Sequence, residues 1–465
     1  MADRKSAEAA ASRHSHAIPP PSFPTHNSPR TWFITQALSP LAIRLMRLLL
    51  AHGDYVVACL PPHDLDNEVI SAEFRELADE CRNPASGRYK DREGWKDRIR
   101  GIRCDGRFMG QCGAAVAEAV HVFGRIDIVL CCSSAAVVGA VEEVGGGGGG
   151  GGGKTPNLLG QNIVRDQFET VFFSQVNFIK AALPQLRSQR TGHVVVLSSI
   201  GGHIGMPGMP IHTAATWALE GYCDSLAYEI APFNIKVTVV QPNTEVQTLS
   251  NRITFAPSMP EYEAAAEASA IAAAAASAAA VAAESQGPGG STAPAADLIE
   301  APTPSVRDLL TRVLDLHGEN VGFSTTASAA STASPPAVSP VASAASAPSS
   351  TAAPASAAPS TPTVRYPRLP APALDRLVLE TVHALTAIGG HENPPTRHIV
   401  GFEASASVTD KLKTVSEELE DFVEASLSVD IFDSELKEEA REGRAAELAA
   451  AAAAESAAQL AADLE

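Results

Sequence analysis

Four side chains near predicted strand ends could perform chemistry: Ser199, His212 and the adjacent pair Cys131 and Cys132. An imidazole with its ordinary pKa of about 6.5 suits proton transfer near neutral pH. The alternative for His212 is a histidine hydrogen-bonded in a cleft without turnover, and for Ser199 a hydroxyl that caps a turn. For the two cysteines we favour packing at a tight strand end over reactive thiols.

The elements that must position these residues follow an alternating pattern. Apolar runs predict strands, and segments with helical spacing of apolar residues predict helices between them. The predicted strands are residues 32–35, 55–59, 99–104, 126–131, 193–197 and 235–240, and the predicted helices are 41–52, 114–123, 168–187 and 213–231. This order indicates an α/β fold: a doubly wound, Rossmann-type parallel sheet with helices on both faces. A ligand would bind at the carboxyl ends of the strands.

Composition excludes several classes of function. The formal net charge of −18 argues against a nucleic-acid partner, which needs clustered cations. The seven cysteines show no zinc-type spacing, so we predict no metal site. An uneven number of cysteines without a secretory signal predicts a reducing, cytoplasmic location. We expect no membrane partner, because no run is long and apolar enough to span a bilayer.

Biased segments divide the chain. We predict a disordered tail at residues 1–30 and a Rossmann domain at 31–262 that carries a glycine-rich loop at 145–153. A mostly disordered Ala/Ser/Pro-rich insertion follows at 263–370, because such sequence buries too little apolar surface to offset its ordering entropy. Residues 371–432 complete the domain with helices, and 433–465 form an acidic, alanine-rich tail of helical propensity.

Several phrases resemble a known family in order and spacing. They are TWFIT at 31–35, FGRID at 123–127, GHVVVLSS at 192–199, ALEG at 218–221 and EIAPFNIKVT at 229–238. Together they resemble the classical short-chain dehydrogenase/reductase (SDR) family, particularly its retinol- and steroid-dehydrogenase-like members, over residues 31–248. The resemblance implies the cofactor NAD or NADP, a small-molecule substrate, and a homodimer or heterodimer formed through the long helices.

The resemblance also implies a phosphate loop, TGxxxGxG, after the first strand. Thr35 is retained, but Gln36 and Pro40 occupy glycine positions. Ser39 followed by Pro40 is a favourable helix start. Gln36 brings a long side chain and loses easy access to positive φ where the phosphate should approach. We therefore expect a retained helix and a compromised phosphate site, and cofactor binding is doubtful.

Other cofactor positions implied by the resemblance are also altered. Leu60 and two prolines stand where an acidic residue would hold the ribose, and Asp64 is interpreted as a loop residue. The family's NNAG becomes Cys131-Cys132-Ser133-Ser134. The remaining cofactor positions are Leu41, Asp105, Gly106, Cys132, Ser133, Pro242 and Asn243.

The family's catalytic set is a serine, a tyrosine, a lysine four residues after it, and an asparagine. Ser199 matches the serine, while His212, Thr216 and Val171 stand at the tyrosine, lysine and asparagine positions. Histidine is shorter than tyrosine, and misplacement by about 1 Å can cost on the order of 100-fold in rate. Without the lysine, no cation would anchor the ribose or tune the acid.

Three hypotheses follow. The first is a pseudoenzyme that keeps the fold as a binding or scaffold module. The second is an active NAD(P)-dependent oxidoreductase acting on a hydroxyl or carbonyl group with an atypical site of Ser199 and His212. The third is an interaction subunit that uses the helices at 168–187 and 213–231.

Overall fold

The computed structural model describes residues 20–83, 92–133, 135–145, 158–257, 363–365, 372–428 and 441–450. The chain divides into two compact units, 1–406 and 407–465. The sheet lies in the first unit, and the second is helical where it is described. Most of the predicted glycine-rich loop and of the 263–370 insertion lies outside the described residues. Among the helices that are described, none has the length and apolar character of a membrane span.

Seven strands form one parallel sheet in the order β10-β7-β6-β4-β1-β2-β3. A second sheet of three short strands has the order β5-β8-β9. The strands are β1 Thr31–Ile34, β2 Tyr55–Leu60, β3 Ile99–Arg103, β4 Ile128–Cys131, β5 Ala135–Val138, β6 Gly192–Leu197, β7 Ile235–Gln241, β8 Arg252–Phe255, β9 Thr363–Arg365 and β10 Arg397–Ile399. The predicted doubly wound α/β fold is confirmed.

Helices cover both faces of the parallel sheet. The helices of the two units, in chain order, are α1 Pro40–His52, α2 Pro62–Leu65, α3 Ala72–Arg82, α4 Trp95–Arg98, α5 Met109–Phe123, α6 Val141–Gly145, α7 Leu158–Phe168, α8 Ser174–Gln189, α9 Pro210–Ile230, α10 Thr244–Ser250, α11 Pro372–Ile388, α12 Phe402–Asp421 and α13 Val423–Ser428. Short 3₁₀ turns lie at Ile200–Gly202 and Ala231–Phe233.

The central strands are apolar throughout because both faces of the sheet are buried. Trp32 and Ile34 of β1 belong to the apolar core on one face, and Phe33 between them belongs to the core on the other. This alternation follows from the two-residue period of a strand. The helix after β1 begins as predicted: Ser39 caps it by accepting a bond from the Ala42 amide at 3.1 Å, with Pro40 in the first turn.

Three features differ from the sequence predictions. The long helix predicted at 168–187 instead runs through α7 and α8, joined by a π-helical turn at Glu169–Phe173. A seventh strand, β10, pairs with β7 at the sheet edge. The chain also packs before the predicted boundary at residue 31, since Arg30 is buried and donates to the carbonyls of Gly389 and Pro24 at 2.7 Å each.

Candidate functional site

The strand order reverses between β1 and β4, so the ligand crevice of this fold lies at their carboxyl ends. The loop after β1 is buried from Thr35 to Ser39. Gln36 has a φ of +46°, so the backbone keeps the left-handed shape that glycine would supply. The expected loss of positive φ at this position is therefore wrong. The Gln36 side-chain amide donates to the Thr170 carbonyl and the Ser174 hydroxyl, each at 3.0 Å, which ties the loop to the long helix.

The structure brings two predicted cofactor residues together. The Thr35 hydroxyl accepts a bond from the Cys132 amide at 3.0 Å and donates to Gln175 Oε1 at 2.6 Å. Gln175, which sequence reasoning missed, donates in turn to the Cys132 carbonyl at 2.9 Å. The Ser133 hydroxyl donates to the Ala135 carbonyl at 3.2 Å. Burial raises the pKa of Cys132 to about 12, so the thiol stays protonated and acts as a packing group.

Asp105, one of the cofactor positions implied by the resemblance, is already engaged within the chain. Arg107 binds the Asp105 carboxylate with its guanidinium group at 2.7–3.1 Å. Burial opposes ionisation of Asp105, but the bonds from Arg107 outweigh it and hold the pKa below its ordinary value. Gly106 lies against α8, where an added Cβ would come within 2.6 Å of the Phe178 ring.

An ion pair that sequence reasoning missed lies four residues after Leu60, the predicted ribose position. Asp64, interpreted as a loop residue, is buried in α2 directly after β2. Its carboxylate binds the guanidinium of Arg252 at the start of β8. Leu60, where an acidic residue would hold a ribose hydroxyl, packs into the apolar core. The acidic group nearest to this position therefore neutralises a cation of the same chain.

The segment from β7 to β8 crosses the crevice edge of the sheet. It leaves β7 at Gln241 and reaches the end of β2 through Arg252, and β6, β4 and β1 lie between these two strands. Val246 packs in one apolar core with Ala37 and Leu38 of the loop after β1. Gln247 donates to the Ser198 carbonyl at 2.5 Å. Side chains of this segment thus share the apolar core with the loop and bond to the end of β6.

The start of this segment is fixed by the predicted cofactor residues Pro242 and Asn243. The Pro242 carbonyl accepts a bond from the Ile200 amide at 3.0 Å. Asn243 caps α10 by accepting from the Thr244 amide at 2.7 Å. Leu41 lies in the first turn of α1 and is fully buried. These residues therefore perform structural roles within the chain.

Three of the four catalytic positions, Val171, His212 and Thr216, line a very small cavity of about 10 Å³. That volume holds roughly one water molecule. It is lined by Cys131, Ser133, Val171, Gln175, Leu197, Ser198, His212, Thr216, Leu219 and Gln247. His212 and Val171 both line this cavity. No lysine or arginine is among these described lining residues, so the cavity lacks a cation to hold a ribose or lower the pKa of an acid.

His212 is a buried, neutral side chain. Its Nδ1 lies 3.5 Å from the amide nitrogen of Gln167, and its Nε2 has no hydrogen-bond partner among the described residues. Burial lowers the pKa of His212 to about 4. The imidazole is therefore unprotonated at pH 7. It can accept or relay a proton only through a molecule small enough to enter the cavity.

The side chains at two further catalytic positions form hydrogen bonds with backbone groups. The Ser199 hydroxyl accepts a bond from the Gly201 amide at 3.1 Å and caps the turn Ile200–Gly202. The Thr216 hydroxyl donates to the His212 carbonyl at 2.8 Å, within α9. Ser199 does not line the cavity that holds His212. The Ser199 hydroxyl thus serves as the cap of this turn, as the turn-capping alternative describes.

A buried polar network beside the cavity was also missed. The Glu220 carboxylate accepts a bond from the Ser198 hydroxyl and two bonds from the Gln241 amide at 2.9 and 3.0 Å. Arg397 of β10 lies 3.7 Å from the same carboxylate. The sequence gives no signal for this network except the buried helix position of Glu220. It joins β6, β7, β10 and α9 behind the cavity.

The order of the parallel strands defines a Rossmann-type α/β class of protein. The short chain dehydrogenase family model matches residues 77–253. Oxidoreductase BOA17 of Botryotinia fuckeliana is 29% identical over 214 residues, 46% of this chain and 65% of that protein. Human retinol dehydrogenase 8 is 35% identical over 99 residues, 21% of this chain and 32% of that protein. The matches thus span less than two thirds of these relatives.

A solved short-chain dehydrogenase from Streptomyces avermitilis has the same fold. It superposes with a TM-score of 0.51 at 19% identity, over 87% of this chain and all of that one. Over residues 77–253 the chain is similar to the short-chain dehydrogenase family, and its fold is that of a solved member. The resemblance to retinol-dehydrogenase-like members that the sequence phrases carry is confirmed.

Proposed function

We propose that this protein is a catalytically inactive member of its family that works as a binding or scaffold module. The observation that carries the proposal is the cavity at the catalytic positions, which has a volume of about 10 Å³. A nicotinamide ring and a carbonyl substrate are each many times larger than the roughly one water that such a cavity holds. The residues present do not fit a nicotinamide cofactor, and we derive no hydride-transfer step.

The phosphate and ribose positions support the same proposal. Gln36 replaces the glycine that would let the backbone approach a pyrophosphate, and its amide is bonded to the long helix. Asp64 is neutralised by Arg252. Each position alone could be an idiosyncrasy of one lineage. Together they remove contacts to the phosphates, the ribose and the reacting group.

A scaffold role requires a surface for a partner. Phe173, Trp217 and Tyr228 have exposed fractions of 46%, 53% and 85% and lie on the π-helical turn and α9. These helices correspond to the long helices through which the family resemblance implies a dimer, so we propose a homodimer or a heterodimer with an active relative. The seven described cysteines are unpaired, which supports a reducing compartment such as the cytoplasm.

The alternative function is an NAD(P)-dependent oxidoreductase that acts on a hydroxyl or carbonyl substrate. Family membership favours it, and so does the unpartnered Nε2 of His212 inside the cavity. This function needs the segment between β7 and β8 to move away and needs Ser199 to leave its capping bond.

An activity assay separates the two functions. Purified full-length protein is incubated with NADH or NADPH and a panel of aldehydes and ketones, beside the His212→Ala variant. We expect neither protein to oxidise the cofactor above the buffer rate. Turnover that is lost in His212→Ala would establish the alternative. Turnover that persists in the variant would also refute the proposal and would remove His212 from the mechanism.

A further inference from the structure

A cluster of metal-ligating side chains lies at the amino ends of β1 and β2, whereas the crevice lies at the carboxyl ends of the strands. His26 precedes β1, and His52 and Asp54 flank the turn between α1 and β2. Each of the three residues offers one potential ligand atom, and these three atoms lie within 4.8 Å of one another. We propose that His26, His52 and Asp54 bind a divalent transition-metal ion, with zinc as the expected ion. The sequence predicted no metal site because these ligands follow no zinc spacing.

The turn at Gly53 brings the side chains of His52 and Asp54 together. Gly53 has a φ of +107°, a conformation that side-chain-bearing residues rarely adopt. It reverses the chain so that His52 Nδ1 lies 3.4 Å from Asp54 Oδ2. Two ligands at about 2.0–2.1 Å from a tetrahedral zinc ion are separated by about 3.3 Å. This pair therefore already has the spacing of zinc ligands.

The third ligand presents the correct nitrogen. His26 Nδ1 lies 2.6 Å from the Ser28 carbonyl, to which it can only donate, so its Nε2 carries a lone pair. That Nε2 lies 4.0 Å from Asp54 Oδ1. His26 therefore faces one carboxylate oxygen of Asp54 and His52 faces the other, and a small movement of these side chains would bring them to zinc-ligand spacing. A histidine that donates its other ring N–H to a backbone carbonyl is the common arrangement at metal sites.

The other ligands are also held by outer contacts. The Phe23 ring stacks on His52 with centroids 3.7 Å apart and an interplanar angle of 8°. The Asp54 carboxylate is 1% exposed and accepts bonds from the Arg30 amide at 3.0 Å and Trp32 Nε1 at 3.2 Å. Two imidazoles and a carboxylate form a ligand set that suits zinc, with a fourth position for water. The ion would fasten residues 20–30 to the sheet.

The test is calorimetric titration of the metal-free full-length protein with zinc chloride. We expect one ion bound in the micromolar range or tighter, and a melting temperature about 5–10 °C higher when free zinc is 100-fold above Kd. His26→Ala and His52→Ala should each weaken binding by at least roughly 10-fold. Neither change removes the bonds that Asp54 accepts from Arg30 and Trp32, so both variants should fold.

The matched control is the neighbouring pair of His63 and Asp64, which has one histidine and one aspartate without a second imidazole. His63 is 83% exposed and lies 3.4 Å from Asp64, so His63→Ala should bind zinc like the unaltered protein. Cobalt in place of zinc should give a visible spectrum without thiolate charge transfer. Absence of micromolar binding, equal binding by the His26→Ala/His52→Ala double variant, or thiolate bands that accompany the bound cobalt would each overturn the proposal.

Discussion

Replacing Arg252 by alanine is expected to lower the free energy of unfolding by about 2–3 kcal/mol. Arg252 is the ion-pair partner of Asp64, whose side chain is 7% exposed. Removing the cation leaves a carboxylate buried without its counter-charge, which costs roughly 3–5 kcal/mol at a fully buried pair. The 21% exposure of Arg252 reduces that figure. Urea unfolding at pH 7 measures the change.

The matched control is the exposed pair of Arg100 and Glu118, with side-chain exposures of 51% and 37%. Arg100→Ala should cost less than about 1 kcal/mol. The double variant Asp64→Asn/Arg252→Gln should be more stable than Arg252→Ala, because no unpaired charge is left buried. If Arg252→Ala proves no more destabilising than Arg100→Ala, β8 is not anchored on Asp64 and the crevice is not held closed by this contact.

Acidification from pH 7 to pH 5 is expected to lower the free energy of unfolding by about 4 kcal/mol. Burial is the main cause that lowers the pKa of His193 to about 3 and of His212 to about 4. Above pH 6.5 both histidines are neutral in either state and stability is unaffected. Below pH 6.5 the unfolded chain binds protons that the folded chain excludes. Each of the two histidines therefore lowers the free energy of unfolding by about 1.4 kcal/mol for every pH unit.

His193→Gln and His212→Gln should each remove about half of this pH dependence. His193 is buried between Thr238, 2.9 Å from its Nε2, and the Gly390 amide, which donates to its Nδ1 at 3.0 Å. Unfolding curves at pH 5, 6 and 7 measure the slope. His63→Gln, at an exposed position, is the control and should keep the full slope. An unaltered slope in both buried-site variants would mean that these imidazoles are protonated in the folded protein.

The sequence predicted most of the large sheet but not its periphery. Residues 193–197 and 235–240 are continuous apolar runs, and such runs indicate buried parallel strands. β10 contains the polar residues Arg397 and His398, so nothing in its pattern marks it as a strand. β8 pairs with β5, more than a hundred residues earlier, and with β9. Short strands of this kind depend on tertiary pairing that no local pattern reveals.

The candidate site was predictable by position but not by contact. The family resemblance predicted Thr35, Cys132 and His212 as site residues, and the structure places Thr35 and Cys132 together and His212 in the lining of the small cavity. It could not show that Gln36 adopts a positive φ, because that depends on bonds its side chain makes to the long helix. Nor could it show the pair of Asp64 and Arg252, which are 188 residues apart in sequence. The sequence therefore identifies the altered positions, and the structure shows what fills the space.

Titration of the purified full-length protein with NADH and NADPH tests the central claim of a closed crevice most directly. Ligand fluorescence and heat are followed together up to millimolar concentrations. The buried loop after β1, the Asp64–Arg252 pair and the cavity of about 10 Å³ predict no saturable binding of either cofactor. Saturable binding of NADH or NADPH in the micromolar range would contradict the account.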